Sequence, residues 1–191
     1  MLEVGCGDGA LARELAAAGY DVMAIDPAAP EGEIFRQIKL EDLEEEEHFD
    51  AVVARASFHH MTNLDANVER VARALDAGPF VVDEFAWDRL DAPTAEWYEG
   101  QRRALAAAGR ETSRPGAAEW ADHHAGVTPH DELLRALRAR FDELAFTWVP
   151  HLYRYLDGVA SAGLEETLIE SGAIQALGFR FVGIPRATPP L

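Results

Sequence analysis

Three glycines at alternate positions, Gly5, Gly7 and Gly9, interrupt a largely apolar opening, with Leu2 and Val4 flanking Glu3 before them and Ala10 and Leu11 after. That spacing lets the backbone turn sharply and lets another molecule lie against it without meeting a Cβ. It predicts a short strand, a tight turn, and a helix running to about residue 18. Leu11, Leu15 and Ala18 would share one face of that helix, and Gly19 is placed to stop it. The free N–H groups of its first turn aim back at the glycines. The turn reads as a cofactor loop.

Gly5-Cys6-Gly7-Asp8-Gly9-Ala10 formally fits the dinucleotide fingerprint G-x-G-x-x-G/A. Two carboxylates argue against a pyrophosphate guest, Asp8 inside the loop and Glu3 two residues before it, because like charges in a partly dry pocket repel. An acidic glycine loop suits a cationic ligand. Glu3-Val4-Gly5-Cys6-Gly7-Asp8-Gly9 resembles the first motif of class I S-adenosylmethionine-dependent methyltransferases, in which an acid precedes G-x-G-x-G. The likeness is to the small-molecule, type 11-like branch. By that resemblance Glu3, Gly5, Cys6 and Gly7 would contact the cofactor, S-adenosylmethionine, whose product is S-adenosylhomocysteine.

Residues 21–25 form the next short buried strand and end at Asp26-Pro27. An acid at the tip of a second strand is placed to accept both ribose hydroxyls of an adenosine, in dinucleotide and methyltransferase folds alike. Residues 28–33 are too short and Pro-rich for a crossover helix, and 34–38 read as a third strand. In the family an acid followed by an apolar residue then receives adenine, and Asp42 and Leu43 match, although residues 41–47 are also a carboxylate run of a kind usually solvated. Residues 49–55 are a buried strand opened by Phe49-Asp50 and continuing into His59-His60. This pattern resembles the fourth motif of small-molecule methyltransferases, which would bring the backbone around Arg55 to the methionine end of the cofactor.

The remaining pattern alternates helix and strand. Residues 63–77 form an amphipathic helix with Val68, Val71, Ala72 and Leu75 in step, and 80–85 a fifth strand. The pattern loosens from 86 to about 128, where helical pieces (92–108 especially) carry scattered aromatic residues; in the family such an insertion forms a lid. A helix at 131–140, a strand at 144–149, a helix near 164–175 and a strand at 177–183 close the chain. The expected fold is α/β: a Rossmann-like, doubly wound, seven-stranded sheet, mostly parallel with an antiparallel C-terminal strand, in a single domain over 1–191. The one or two helices that such enzymes carry ahead of the first strand are missing, so the protein either does without them or is truncated at its start.

The 191 residues carry 34 acidic against 17 basic side chains, a net charge of −17, which disfavours nucleic acid and anionic membranes as partners. A lone cysteine excludes an internal disulfide and fits a reducing, cytoplasmic setting. The expected partner is a small-molecule methyl acceptor, with the protein a monomer or homodimer.

Methyl transfer from a sulfonium needs alignment first and a base only where the nucleophile carries a proton. Histidine is the natural base near neutrality. His60 is the first candidate and His59 the second. No helical H-x-x-x-H spacing supports a metal site, so none is expected. Two other functions compete: a non-catalytic S-adenosylmethionine-binding or interaction module of the same fold, and an NAD(P)-dependent oxidoreductase, disfavoured by Asp8, by the Phe49-Asp50 and His59-His60 pattern and by the lack of a separate substrate domain.

Overall fold

The computed structural model describes residues 1–110 and 114–186, so 111–113 of the loosely patterned stretch lie outside it. Its strands are β1 (Leu2–Val4), β2 (Met23–Ile25), β3 (Phe35–Arg36), β4 (Val52–Arg55), β5 (Phe80–Phe85), β6 (Phe141–Val149) and β7 (Gly178–Pro185). They form one sheet in the order β3-β2-β1-β4-β5-β7-β6. β3, β2, β1, β4 and β5 pair in parallel, and the direction changes at the C-terminal strands, giving the expected mixed α/β sheet.

The helices are α1 (Ala10–Ala17), α2 (Leu64–Ala74), α3 (Ala92–Ala107), α4 (Trp120–His123), α5 (His130–Arg140) and α6 (Val159–Glu170). The described chain divides into two compact units. The first contains 1–84, 131–146 and the described part of 180–191; the second contains 85–130 and 147–179.

In the first unit β1 is buried along its whole length, whereas β4 and the start of β5 alternate buried with more open positions. Leu2, Val52, Ala54, Phe80 and Val82 are all fully buried. Gly19 ends α1 in a left-handed turn, with the Tyr20 N–H reaching Leu15 O at 3.2 Å and the Gly19 N–H reaching Ala16 O at 3.0 Å. The buried face of α1 is rotated from the expected one. Ala12 is sealed and Leu15 and Ala16 pack beside it, whereas Ala18 is exposed. On α2, Val68 and Val71 are buried as their spacing predicts, with Ala72 half-buried and Leu75 buried just past its end.

No helix connects β2 to β3. Instead the Phe35 ring packs where a Cβ on Gly9 would sit, 2.5 Å from the nearest ring carbon, and the Arg13 guanidinium lies 5.2 Å from the ring centroid. β3 is shorter than the expected 34–38 because only Phe35 and Arg36 pair with Ala24 and Ile25.

In the second unit the scattered aromatic residues converge. Phe85, Tyr98, Trp120, Leu152 and Leu177 form a buried cluster, and the Tyr98 hydroxyl donates to Pro115 O at 2.9 Å. α6 starts and ends about five residues earlier than expected, because Gly172 (φ 75°) stops it; the Ala173 N–H donates to Leu168 O at 2.9 Å. α3 is capped by Asp91, whose Oδ1 accepts the Thr94 N–H at 3.0 Å. Replacing Asp91 by Ala should therefore lower stability by about 1 kcal/mol, read by urea unfolding. An unchanged midpoint would mean that the cap contributes nothing.

Candidate active site

The site is assembled at the carboxyl ends of β1, β2 and β4, where open α/β sheets hold ligands. Gly5 adopts φ 74° because Ser57 occupies the space beside it, and a Cβ there would collide with Ser57 Cβ. Gly7 also has positive φ, and its missing side chain faces open space, leaving bare backbone toward the cavity it helps to line. Ser57 in turn donates its hydroxyl to Val4 O at 3.0 Å, locking the turn after β4 onto β1. The resulting cavity of about 400 Å³ is within the range that takes a cofactor-sized molecule.

Five segments wall it. Val4, Gly5 and Gly7 come from the glycine turn; Ile25, Asp26 and Pro27 from the end of β2; Ile38 to Glu41 from a one-turn 3-10 segment and its approach. Ala56, Ser57 and His60 to Thr62 follow β4, and Asn67 reaches in from α2. Asp26 is held by two amides: Oδ2 accepts the Gly7 N–H at 3.2 Å and Oδ1 the Ala28 N–H at 2.8 Å. Ala56 sits in the left-handed region at φ 51°, where a residue with a Cβ is strained, and its N–H donates to Asp83 O at 2.8 Å.

Glu3 is the electrostatic peculiarity of the site. Only 2% of it is exposed, the Ala12 amide donates to it, and its Oε2 has no hydrogen-bond partner. Burial pushes its carboxyl up to about 7, with Arg55 opposing and Asp8 and Asp26 adding to the rise. A buried acid that is half-ionised near neutrality, among further carboxylates, fits a cationic guest better than a diphosphate. Burial also pushes the Cys6 thiol up to about 11, and Cys6 packs into the core beside Ala12 and Val22. It is neither a nucleophile nor part of the cavity wall.

The structure brings Gly5, Gly7, Asp26, Pro27 and His60 together on the cavity, and it moves other expected contacts. Asp42 is exposed and Leu43 is buried, and neither walls the cavity. Their amides are also engaged, Asp42 N–H with Lys39 O at 3.0 Å and Leu43 N–H with Leu40 O at 3.2 Å, so Leu43 cannot offer its N–H to a ring nitrogen. Leu40 and Glu41 line the cavity there instead. Arg55 is exposed and off the wall, which Ala56 makes one residue later.

His59 is corrected as well. It is buried, faces away from the cavity, and holds Glu84 through Nδ1 at 2.5 Å. Burial and the neighbouring His59 lower the pKa of His60 below its ordinary value while Glu84 opposes them, which favours the neutral form of the ring on the cavity. Glu84 itself was missed from the sequence. The signal was its phase: it falls in step with the buried Phe80 and Val82 on β5, where an acid needs a reason.

The strand order, the lone glycine turn after β1 and the acid after β2 define the class I S-adenosylmethionine-dependent methyltransferase fold. The model of the family described as Methyltransferase domain matches residues 1–140, and the chain belongs to that family. No curated protein sequence matches it. Among solved structures it is similar to an S-adenosylmethionine-dependent methyltransferase from Mesorhizobium loti, with 19% identity and a TM-score of 0.57 over 97% of this chain and 90% of that one. It is similar also to the N-methyltransferase NodS of Bradyrhizobium japonicum in complex with S-adenosylhomocysteine (12%, TM-score 0.55, 97% and 77%). A third similar structure is the 1,6-didemethyltoxoflavin-N1-methyltransferase of Burkholderia thailandensis (15%, TM-score 0.57, 97% and 70%). The cofactor of the family is S-adenosylmethionine, and the open face of Gly7 and the cavity volume fit it, while Glu3 is buried behind the cavity wall and does not line it.

Proposed function

We propose that the protein moves the methyl group of S-adenosylmethionine onto a small-molecule acceptor by in-line displacement at this cavity. The observation that carries the reading is the convergence of the side-chain-free Gly7 backbone, the Asp26 carboxylate and the His60 ring on one cavity of about 400 Å³. When bound, the cofactor supplies an electrophilic methyl on a sulfonium with a ready leaving group. Asp26 would accept the ribose hydroxyls, the Leu40–Glu41 segment would face the adenine, and Ala56 and Ser57 would face the methionine end. His60 takes the proton of a hydroxyl or ammonium acceptor. Holding the reacting atoms about 3–3.5 Å apart contributes roughly 7–11 kcal/mol, so alignment by these walls outweighs any proton transfer.

A small acceptor is supported by the net charge of −17, which repels polyanions, and by the 1,6-didemethyltoxoflavin-N1-methyltransferase that shares the fold. Among the described residues no helix is long and apolar enough to cross a membrane.

The test is thermal unfolding and calorimetry with S-adenosylmethionine, S-adenosylhomocysteine and NAD(P), followed by labelled-methyl transfer to a panel of oxygen, nitrogen and carbon nucleophiles. S-adenosylhomocysteine at 100 times its Kd should add about 2.7 kcal/mol, and NAD(P) nothing. A response to NAD(P) alone would overturn the reading. Binding with no transfer to any acceptor would leave a cofactor-binding module in its place.

A further inference from the structure

Glu84 lies on β5, next to its last residue, and is fully buried. Its carboxylate collects three donors from one stretch of chain, the turn that walls the cavity after β4. Oε1 accepts the Ser57 N–H at 2.9 Å and the Phe58 N–H at 2.6 Å, and Oε2 meets His59 Nδ1 at 2.5 Å. A carboxylate this far from water is tolerable only with such donors, and low polarity strengthens each of them. An ionised carboxylate can only accept, so this contact requires a proton on His59 Nδ1.

The His59 ring then lies against the His60 ring, centroids 4.1 Å apart and planes at 47°. His60 lines the cavity. Ser57, held by the same carboxylate, is also tied to Val4 O on β1. One buried side chain on β5 thus sets the position of two cavity-wall residues that it does not itself accompany to the wall.

We propose that Glu84 is the positioning residue for His60, fixing the Ser57–His60 turn through its grip on two backbone amides and the His59 ring. This rests on the reading of His60 as an acceptor-side residue. Glu84 touches neither cofactor nor acceptor, and what it supplies is a rigid mount.

The experiment uses the free full-length protein, with Glu84→Gln and Glu84→Ala compared by NMR. Gln keeps an oxygen for the two amides but presents an NH2 group to His59. The His59 proton should therefore move from Nδ1 to Nε2, visible in long-range ¹H–¹⁵N spectra, and the His60 ring signals should shift with it. In Glu84→Ala the Ser57 and Phe58 amides should exchange about tenfold faster, the ratio one lost hydrogen bond supports, with Glu84→Gln in between. The Val68 and Val71 amides on α2 should be unaffected.

Unchanged His60 signals together with unchanged Ser57 and Phe58 exchange would overturn the proposal. So would a uniform acceleration in Glu84→Gln that includes Val68 and Val71, since that is the mark of a residue that merely stabilises the fold. Should Glu84→Ala fail to fold, Glu84→Gln decides alone by the same outcomes. None of these signals needs a ligand. Calorimetry of the unaltered protein with S-adenosylhomocysteine judges the cofactor reading separately.

Discussion

Glu3→Gln should make the ligand-free protein more stable at pH 8 by about 3 kcal/mol while leaving its stability at pH 4 unchanged. Burial raises the Glu3 carboxyl in the folded chain from its ordinary 4.5 to about 7. A raised acid keeps its proton in the folded state after the unfolded chain has released its own. Its contribution is therefore intact below about pH 4.5, declines as pH rises, and is lost by about pH 7. Gln cannot ionise, so the variant escapes that decline. Urea unfolding at pH 4, 6 and 8 reads the effect as a gap between the two proteins that opens with pH. A gap of constant size would remove the buried-acid account of the loop.

Asp26→Ala should weaken S-adenosylhomocysteine binding by about 3 kcal/mol, or roughly 150-fold, on the basis of two hydrogen bonds to a charged acceptor at about 1.5 kcal/mol each. The substitution also releases the Gly7 and Ala28 amides that the carboxylate holds. Asp26→Asn separates the two effects, since an amide can still accept one hydrogen bond but brings no charge. Calorimetry on the three proteins is the measurement. Equal affinity in all three would mean that the ribose does not lie at Asp26.

What is legible in the sequence is backbone-driven. Alternating glycines have few uses other than a turn open to a ligand, and an acid at the tip of the following strand follows from the same geometry, so the Gly5–Gly9 turn and Asp26 can be placed from residue order alone. Side-chain direction is harder. His59 and His60 are equivalent as sequence, and only the turn of the chain after β4 sends one ring inward to Glu84 and the other to the cavity.

Asp42 and Leu43, expected at the adenine, miss the cavity wall for a similar reason. The 3-10 turn at Leu40–Asp42 presents Leu40 and Glu41 and turns Asp42 out to solvent, which a run of carboxylates cannot announce. Leu144 opens the apolar alternation of β6 yet is 61% exposed, as an edge strand allows. The loosely patterned stretch after β5 is legible only as helical pieces. That it gathers 147–179 into one unit depends on aromatic contacts far apart in the chain.

The two-residue ladder at the border of the sheet has a dynamic corollary. β3 hangs on few bonds, among them Ala24 N–H to Ile34 O at 2.8 Å and Asp26 N–H to Arg36 O at 3.3 Å. Segments so lightly fastened open at low free energy, well below global unfolding. When this one lifts, it carries off the Phe35 ring that rests on Gly9. Fraying at this margin of the sheet thereby uncovers Gly9 just ahead of α1.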